Sequence, residues 1–285
     1  MTSVPSDPTL PPSTVYPERT FEFAAEAVSD VVRAGGGEAV YESHRSPDKD
    51  TANEDGLLVI SVDADHAVLA VADGLGGHHG GALASKIALE QIFAAVMQAL
   101  GAGREIRDGI LDGFELANQG VLALGTGAGT TLAVAEISAG MVRTYHVGDS
   151  AIVHCGGGGK IKQETIMHSP TGYAVESGLL SAEDALEHEE RHLVSNIVGS
   201  KRMSIDIGSP RKVASRDTIL LATDGLFDNF EAESVVGQVR KGKLPTVTTE
   251  LVARCRERMG GEGKADDLTV ISWRPRAVRR TPARK

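Results

Sequence analysis

Four segments of this chain place an acid at the edge of an apolar run. In VLAVADG (68–74), RTYHVGDS (143–150) and ILLATDG (219–225) a run ends and an aspartate follows beside a glycine: Asp73, Asp149 and Asp224. In KADDLTV (264–270) the order is reversed, and a pair led by Asp266 opens the run. A fifth segment, DTANEDGLLVI (50–60), sets Glu54 and Asp55 ahead of another run, and taken alone it reads as a loop leading into a strand. Singly, an Asp beside a Gly is turn chemistry. Repeated at the ends of buried strands, these acids sit on a rim. If the rims converge, the carboxylates need cations to offset their charge or must take up protons. An all-oxygen set without His or Cys beside it suits a hard ion such as Mg²⁺ or Mn²⁺ and not zinc. Gly74 lets a backbone carbonyl approach such an ion, and Gly148 and Gly225 permit unusual backbone angles next to the acids.

The runs between the acids define the elements that must position them. RTFEFAAEAVSD (19–30) reads as a strand from its partial alternation. GLLVISV and HAVLAVAD, separated by DAD, have the pattern of a hairpin. Residues 80–100 carry apolar side chains at helical spacing and stop at GAG, and a second helical stretch runs from Arg104 to about Leu124. TTLAVAEIS, MVRTYHVGD and AIVHC read as strands, the first two joined by a tight AG turn. RKVASRDTILLATDG, a helix in EAESVVGQVRKG, a helix over 247–259 and a last strand in LTVISW complete the order. The order implies antiparallel sheets covered by helices, not repeated βαβ units. Between Gly156 and His192, GGGG reads as a hairpin turn, and SAEDALEHEERH as a short helix capped by Ser181 with Glu183 and Asp184 in its first turn.

With 285 residues and 41% hydrophobic composition, one large domain over 19–274 is the simplest organisation. The proline-rich residues 1–18 read as a flexible arm and the basic residues 275–285 as a solvated tail. A net charge of −10 argues against a general nucleic-acid binder or an anionic-membrane binder. Cys155 and Cys255 lie outside any C-x-x-C spacing, which argues against a disulfide framework or zinc knuckle and points to reduced core thiols in a cytoplasmic protein. No apolar run reads as long enough to span a bilayer, and the first residues lack a secretory pattern.

NEDG (53–56), VADGLGGH (71–78), GTT (129–131), HVGDS (146–150), LLATDGLFD (220–228) and DDLTV (266–270), in this order, resemble the type 2C family of metal-dependent Ser/Thr protein phosphatases, in its bacterial form. SNIVGS (195–200) resembles the family's stretch before the late strands. The resemblance spans about residues 45–272 and implies an α+β fold: a β-sandwich of two antiparallel sheets flanked by antiparallel helix pairs. It implies a two-metal centre of Mn²⁺ or Mg²⁺ in which Asp73 bridges both ions, the Gly74 carbonyl binds one, and Asp224 and Asp266 complete the direct ligands. Glu54 would act through water with Asp55 close by, and Asp149 would match the ligand of a weaker third ion. The implied reaction is hydrolysis of phosphoserine and phosphothreonine in proteins by a water between the two ions, so that Asp73, Asp224 and Asp266 carry catalysis. The implied partners are phosphoproteins and a cognate Ser/Thr kinase in signalling.

Two positions depart from the pattern. Many family members carry Arg four residues before the acid matched by Glu54; here that residue is Asp50, with Lys49 as nearest substitute for holding phosphate and Arg45 as second. Some eukaryotic members carry His after the Asp-Gly; here it is Leu75, and the following His78 and His79 read as a solvated loop. Two alternatives stand beside this reading: a hydrolase of nucleotides or other small phosphoesters, and a non-catalytic phosphatase-like binding module.

Overall fold

A computed structural model describes residues 18–23, 27–76 and 80–276. The arm over 1–18 and the tail over 275–285 lie almost wholly outside the described residues, as do His78 and His79. The first strands are β1 (Glu18–Phe23), β2 (Ala27–Ala34) and β3 (Gly37–His44). The hairpin β4 (Gly56–Ser61) and β5 (His66–Ala72) leads through the two-residue β6 (Gly74–Leu75) to helices α1 (Gly80–Gly101) and α2 (Ile106–Leu122). After the short β7 (Gly129–Thr130) come β8 (Leu132–Ser138), β9 (Met141–Val147), β10 (Ala151–Cys155) and β11 (Ile161–Glu164). Helices α3 (Pro170–Glu176) and α4 (Ala182–Glu187) and a 3₁₀ turn, Glu189–His192, precede the short β12 (Asp206–Ile207) and β13 (Arg211–Lys212). The remainder is β14 (Thr218–Ala222), the one-turn α5 (Asp224–Phe227), α6 (Ala232–Val239), α7 (Leu244–Met259) and β15 (Leu268–Pro275).

All pairings are antiparallel. One sheet runs β1-β4-β5-β8-β9-β12, with β13 also on β9, and the other runs β11-β10-β14-β15-β3-β2. Alternation explains why the strands read as continuous apolar runs: both faces of each sheet are covered. In β4, Leu57 and Val59 face the second sheet, while Leu58 and Ile60 face the helices. The inter-sheet layer includes Tyr41, Leu69, Ile152, Leu221 and Trp273. The α1–α2 pair packs Leu89, Ile92, Ile110 and Phe114 on the first sheet. Helices α6 and α7 pack Val236, Leu251 and Val252 against Val153, Leu220 and Val270 of the second. Both cysteines are free and buried in that last layer.

Four readings are corrected. RTFEFAAEAVSD supplies two strands: β1 joins β4 in the first sheet, and β2 joins β3 in the second. RKVASRDTILLATDG likewise splits into β13 on β9 and β14 on β10. SAEDALEHEERH breaks at His188, whose extended backbone ends α4 and whose Nδ1 accepts the Glu190 N–H at 3.1 Å, although Ser181 caps as expected. Finally, α1 is long and apolar enough to cross a membrane by length and composition, but it lies against α2 and the first sheet with Ala84, Ala88, Ile92 and Val96 buried.

The helix-covered layer next to the first sheet depends on Phe114, which is fully buried. Phe114→Ala is expected to lower unfolding free energy by roughly 3–5 kcal/mol, read as a lower urea midpoint. An unchanged midpoint would exclude this packing.

Candidate metal centre

Strand register brings the acids together. Gly56 pairs with Ala72, so Asp55 and Asp73, one residue beyond that pair, are neighbours at the end of the first sheet. Ala222 pairs with Val270 and with Ala151, so Thr223–Asp224 lies beside the entry to β15 and beside Asp149–Ser150. The chain passes from sheet to sheet through Gly148–Asp149, because β9 belongs to one sheet and β10 to the other. One rim of the sandwich therefore collects Asp73 and Asp55 from the first sheet, Asp224 and Asp266 from the second, and Asp149 from the crossover.

Backbone groups are pinned so that the side chains are presented. The Asp73 N–H donates to Thr131 Oγ1 at 3.0 Å, and its carbonyl accepts from the Thr131 N–H at 2.9 Å and the Thr130 hydroxyl at 2.7 Å. The carbonyl of Glu54 accepts from the Gly74 N–H at 3.2 Å and the Ser85 hydroxyl at 2.6 Å. Asp55 Oδ2 accepts the Thr223 hydroxyl at 2.8 Å, and Thr223 Oγ1 in turn accepts the Thr269 N–H at 3.0 Å. Gly148 has φ +101°, as the sequence suggested. Gly225 does not need an unusual angle; it lies in α5, where a Cβ would stand 2.1 Å from the Asp267 carbonyl oxygen.

Three residues that sequence reasoning missed complete the rim. Asp267, buried, accepts from the Ser46 N–H at 2.8 Å, the Glu54 N–H at 2.7 Å and Lys49 Nζ at 2.8 Å, tying the 45–54 loop to the start of β15. Asp228 lies four residues after Asp224, on the same helical face, a spacing that was visible in the sequence. Lys264 Nζ pairs with Asp224 at 3.1 Å, Asp228 at 2.5 Å and Asp266 at 3.1 Å. Of the residues expected to grip phosphate, Lys49 sits at the rim with its ammonium on Glu54 at 2.6 Å and on Asp267, while Arg45 is half-buried just after β3. Asp50 is exposed in the same loop.

The electrostatics are those of crowded anions. Burial, and then Asp224, Asp55, Asp266 and Asp149, push the carboxyl of Asp73 well above its ordinary range. Burial and then Asp224 and Asp228 do the same to Asp149, and burial and then Asp267 to Asp55. Asp266 is pushed up to about 6 by burial and by Asp224. Asp224 is raised by burial and Asp228 and is within hydrogen-bonding reach of Asp73. Desolvation opposes the charge on Lys49 and Lys264, yet their acidic partners hold both above the ordinary lysine value.

The residues fit a hard divalent cation. Asp55 Oδ1 and Asp149 Oδ1 are buried acceptors with no hydrogen-bond donor. A Cβ on Gly81 would stand 2.5 Å from the Gly74 carbonyl oxygen and 2.6 Å from Glu54 Oε1, so these oxygens share a cradle that only glycine leaves open. A second grouping, His146, His168 and Asp206, does not fit one: His168 Nδ1 accepts the Gly148 N–H at 3.1 Å, which leaves the ring proton on Nε2, 3.2 Å from Asp206. His168 instead holds the loop that carries Asp149.

A rim of carboxylates drawn from both sheets of a helix-flanked sandwich defines a metal-dependent phosphatase, and the chain belongs to the Protein phosphatase 2C family, whose profile matches residues 42–259. It is 30% identical over 230 residues to protein phosphatase PhpP of Streptococcus pneumoniae, covering 78% of this chain and 91% of that protein. It is 28% identical over 229 residues to serine/threonine phosphatase stp of Listeria monocytogenes, covering 77% and 88%. Among solved structures, MsPP of Mycobacterium smegmatis in complex with cacodylate matches with a TM-score of 0.69 at 26% identity, covering 83% and 97%. The catalytic domain of PstP, solved with two manganese ions, matches at 0.66 and 22% identity, covering 87% and 99%. The chain is a bacterial-type protein serine/threonine phosphatase with phosphoproteins as substrates and metal ions as cofactors.

Carboxyls with raised pKa values stabilise the fold through bound protons. That contribution is full below the ordinary carboxylate range near 4 and is lost as pH rises through the raised values, about 6 for Asp266. Without metal, the melting temperature is expected to fall between pH 6 and pH 8. Asp149→Asn, which removes one charge, should melt several degrees higher at pH 8 and flatten the slope. A flat profile for the unsubstituted chain, measured by scanning calorimetry in EDTA, would contradict this account.

Proposed function

We propose that Asp73, Asp224 and Asp266, with the carbonyl of Gly74, hold two Mn²⁺ or Mg²⁺ ions, that Glu54 supports them through water with Asp55 close by, and that Asp149 serves a weaker third ion. The observation that carries this reading is the pair of buried acceptors without donors, Asp55 Oδ1 and Asp149 Oδ1, in a cluster where carboxylates outnumber ammonium groups. When bound, the ions neutralise the acids, screen the phosphoryl oxygens and activate water as the nucleophile.

The chain's own residues orient the substrate. Lys49 spends two of its three ammonium protons on Glu54 and Asp267, and the third is available to a phosphoryl oxygen as a point charge. Arg45 is the second candidate for that contact. The Asp266 side chain is 35% exposed, so the rim opens to solvent there. The catalytic unit is one domain over 19–274, acting in the cytoplasm on substrates of a cognate Ser/Thr kinase in a signalling pair.

Hydrolysis of p-nitrophenyl phosphate is expected to require Mn²⁺ or Mg²⁺ and to stop in EDTA. Asp73→Asn and Asp224→Asn should each lower kcat/KM by about a hundredfold or more. Full activity in metal-stripped protein or in either variant would refute the assignment. Phosphoserine and phosphothreonine peptides assayed beside nucleotides separate a protein phosphatase from a small-phosphoester hydrolase. Lys49→Ala should raise KM more than it lowers kcat, and an unchanged KM would remove Lys49 from phosphate binding.

A further inference from the structure

Lys264 sits among three carboxylates of the rim. Its ammonium lies 3.1 Å from Asp224, 2.5 Å from Asp228 and 3.1 Å from Asp266, and its side chain is 21% exposed. The placement is built in, not a chance rotamer of a surface lysine. Asn229, fully buried, donates through Nδ2 to the Lys264 carbonyl at 2.9 Å and accepts the Lys264 N–H through Oδ1 at 3.1 Å. The same Nδ2 donates to the Gly225 carbonyl at 2.9 Å. The backbone of Lys264 is thereby bolted to α5, the turn that begins with Asp224 and ends next to Asp228, so the lysine and two of its partners are held as one unit.

Two of those three partners are the acids assigned above to the metal ions, and no carboxylate can give its full charge to an ammonium and to a divalent ion together. Resting on that reading of the rim, we propose that Lys264 is a built-in competitor of the metal: its ammonium neutralises Asp224, Asp228 and Asp266 in the metal-free protein and gives way when an ion takes Asp224 or Asp266. The displaced group has somewhere to go. Lys264 also lines a cavity of about 310 Å³ at the join of α4 and the 3₁₀ turn, together with Glu187, Glu189, Arg191, His188 and His192. A four-carbon stem anchored at its backbone swings between the two sets of carboxylates. Metal occupancy and the α4–3₁₀ segment are thereby coupled through one charge.

The test compares the unsubstituted chain with Lys264→Met and Lys264→Arg by calorimetric titration of the metal-stripped proteins with Mn²⁺, together with their metal-free melting temperatures. Lys264→Met should bind Mn²⁺ at the sites assigned to Asp224 and Asp266 at least about tenfold more tightly, since it removes one unit charge a few Å from a cation at an effective dielectric of about 20. It should also melt lower without metal, whereas Lys264→Arg should follow the unsubstituted chain in both. The opposite signs are the signature, because a lysine that only supports the fold would lower both affinity and stability when removed. If Lys264→Met does not fold without metal, Lys264→Gln, which can still hydrogen-bond to the acids, carries the same comparison. Equal Mn²⁺ affinities in the folded variants and the unsubstituted chain overturn the competitor role alone. No Mn²⁺ binding by any of the proteins overturns the metal reading and the competitor role with it.

Discussion

Like charges at close range are the constraint around which this molecule is arranged. Asp73, Asp149, Asp224, Asp228 and Asp266 gather at one rim of the sandwich, and Glu54, Asp55 and Asp267 adjoin them. Among the described residues, the ammonium groups paired with them are those of Lys49 and Lys264. The surplus of negative charge is large enough that two divalent ions do not reverse it. Such a cluster opposes folding when nothing neutralises it, and it persists because the strands that carry it are fixed by burial elsewhere. Three apolar layers, one between the sheets and one under each helix pair, supply that fixation.

The lysines divide the rim into two halves with different tasks. Lys49 and Asp267 join the loop before β4 to the start of β15 and so hold Glu54 from both ends of the sequence. Lys264 serves the half built on α5. The buried oxygens Asp55 Oδ1 and Asp149 Oδ1 have no hydrogen-bond donor among the described residues. The hydroxyls of Thr130, Thr131 and Thr223 each tie down a strand terminus that carries an acid.

Much of this was legible from the sequence because a strand and the acid at its end are adjacent along the chain. Asp73, Asp149, Asp224 and Asp266 announce themselves in that way, and Glu54 and Asp55 do so by preceding β4. Helices α1, α2 and α6 follow from apolar spacing with few boundary errors. What escaped depends on pairing across long separations. Nothing near Asp267 says that its oxygens meet Lys49, 218 residues away, and nothing near Lys264 says that it meets Asp224. Periodicity also does not say which sheet a strand joins, which is why the segments holding β1–β2 and β13–β14 each read as one strand when the chain changes sheets within them. Asp228 was recoverable from helical spacing alone.

The position of β15 has a consequence for how the enzyme comes into being. It is the last strand of the described chain, yet it lies inside its sheet, hydrogen-bonded to β14 on one side and β3 on the other. A growing polypeptide that has not reached Asp266 has an open slot between those two strands and lacks Asp266 and Asp267 at the rim. The rim is therefore completed with the closing of the sheet and not gradually during synthesis.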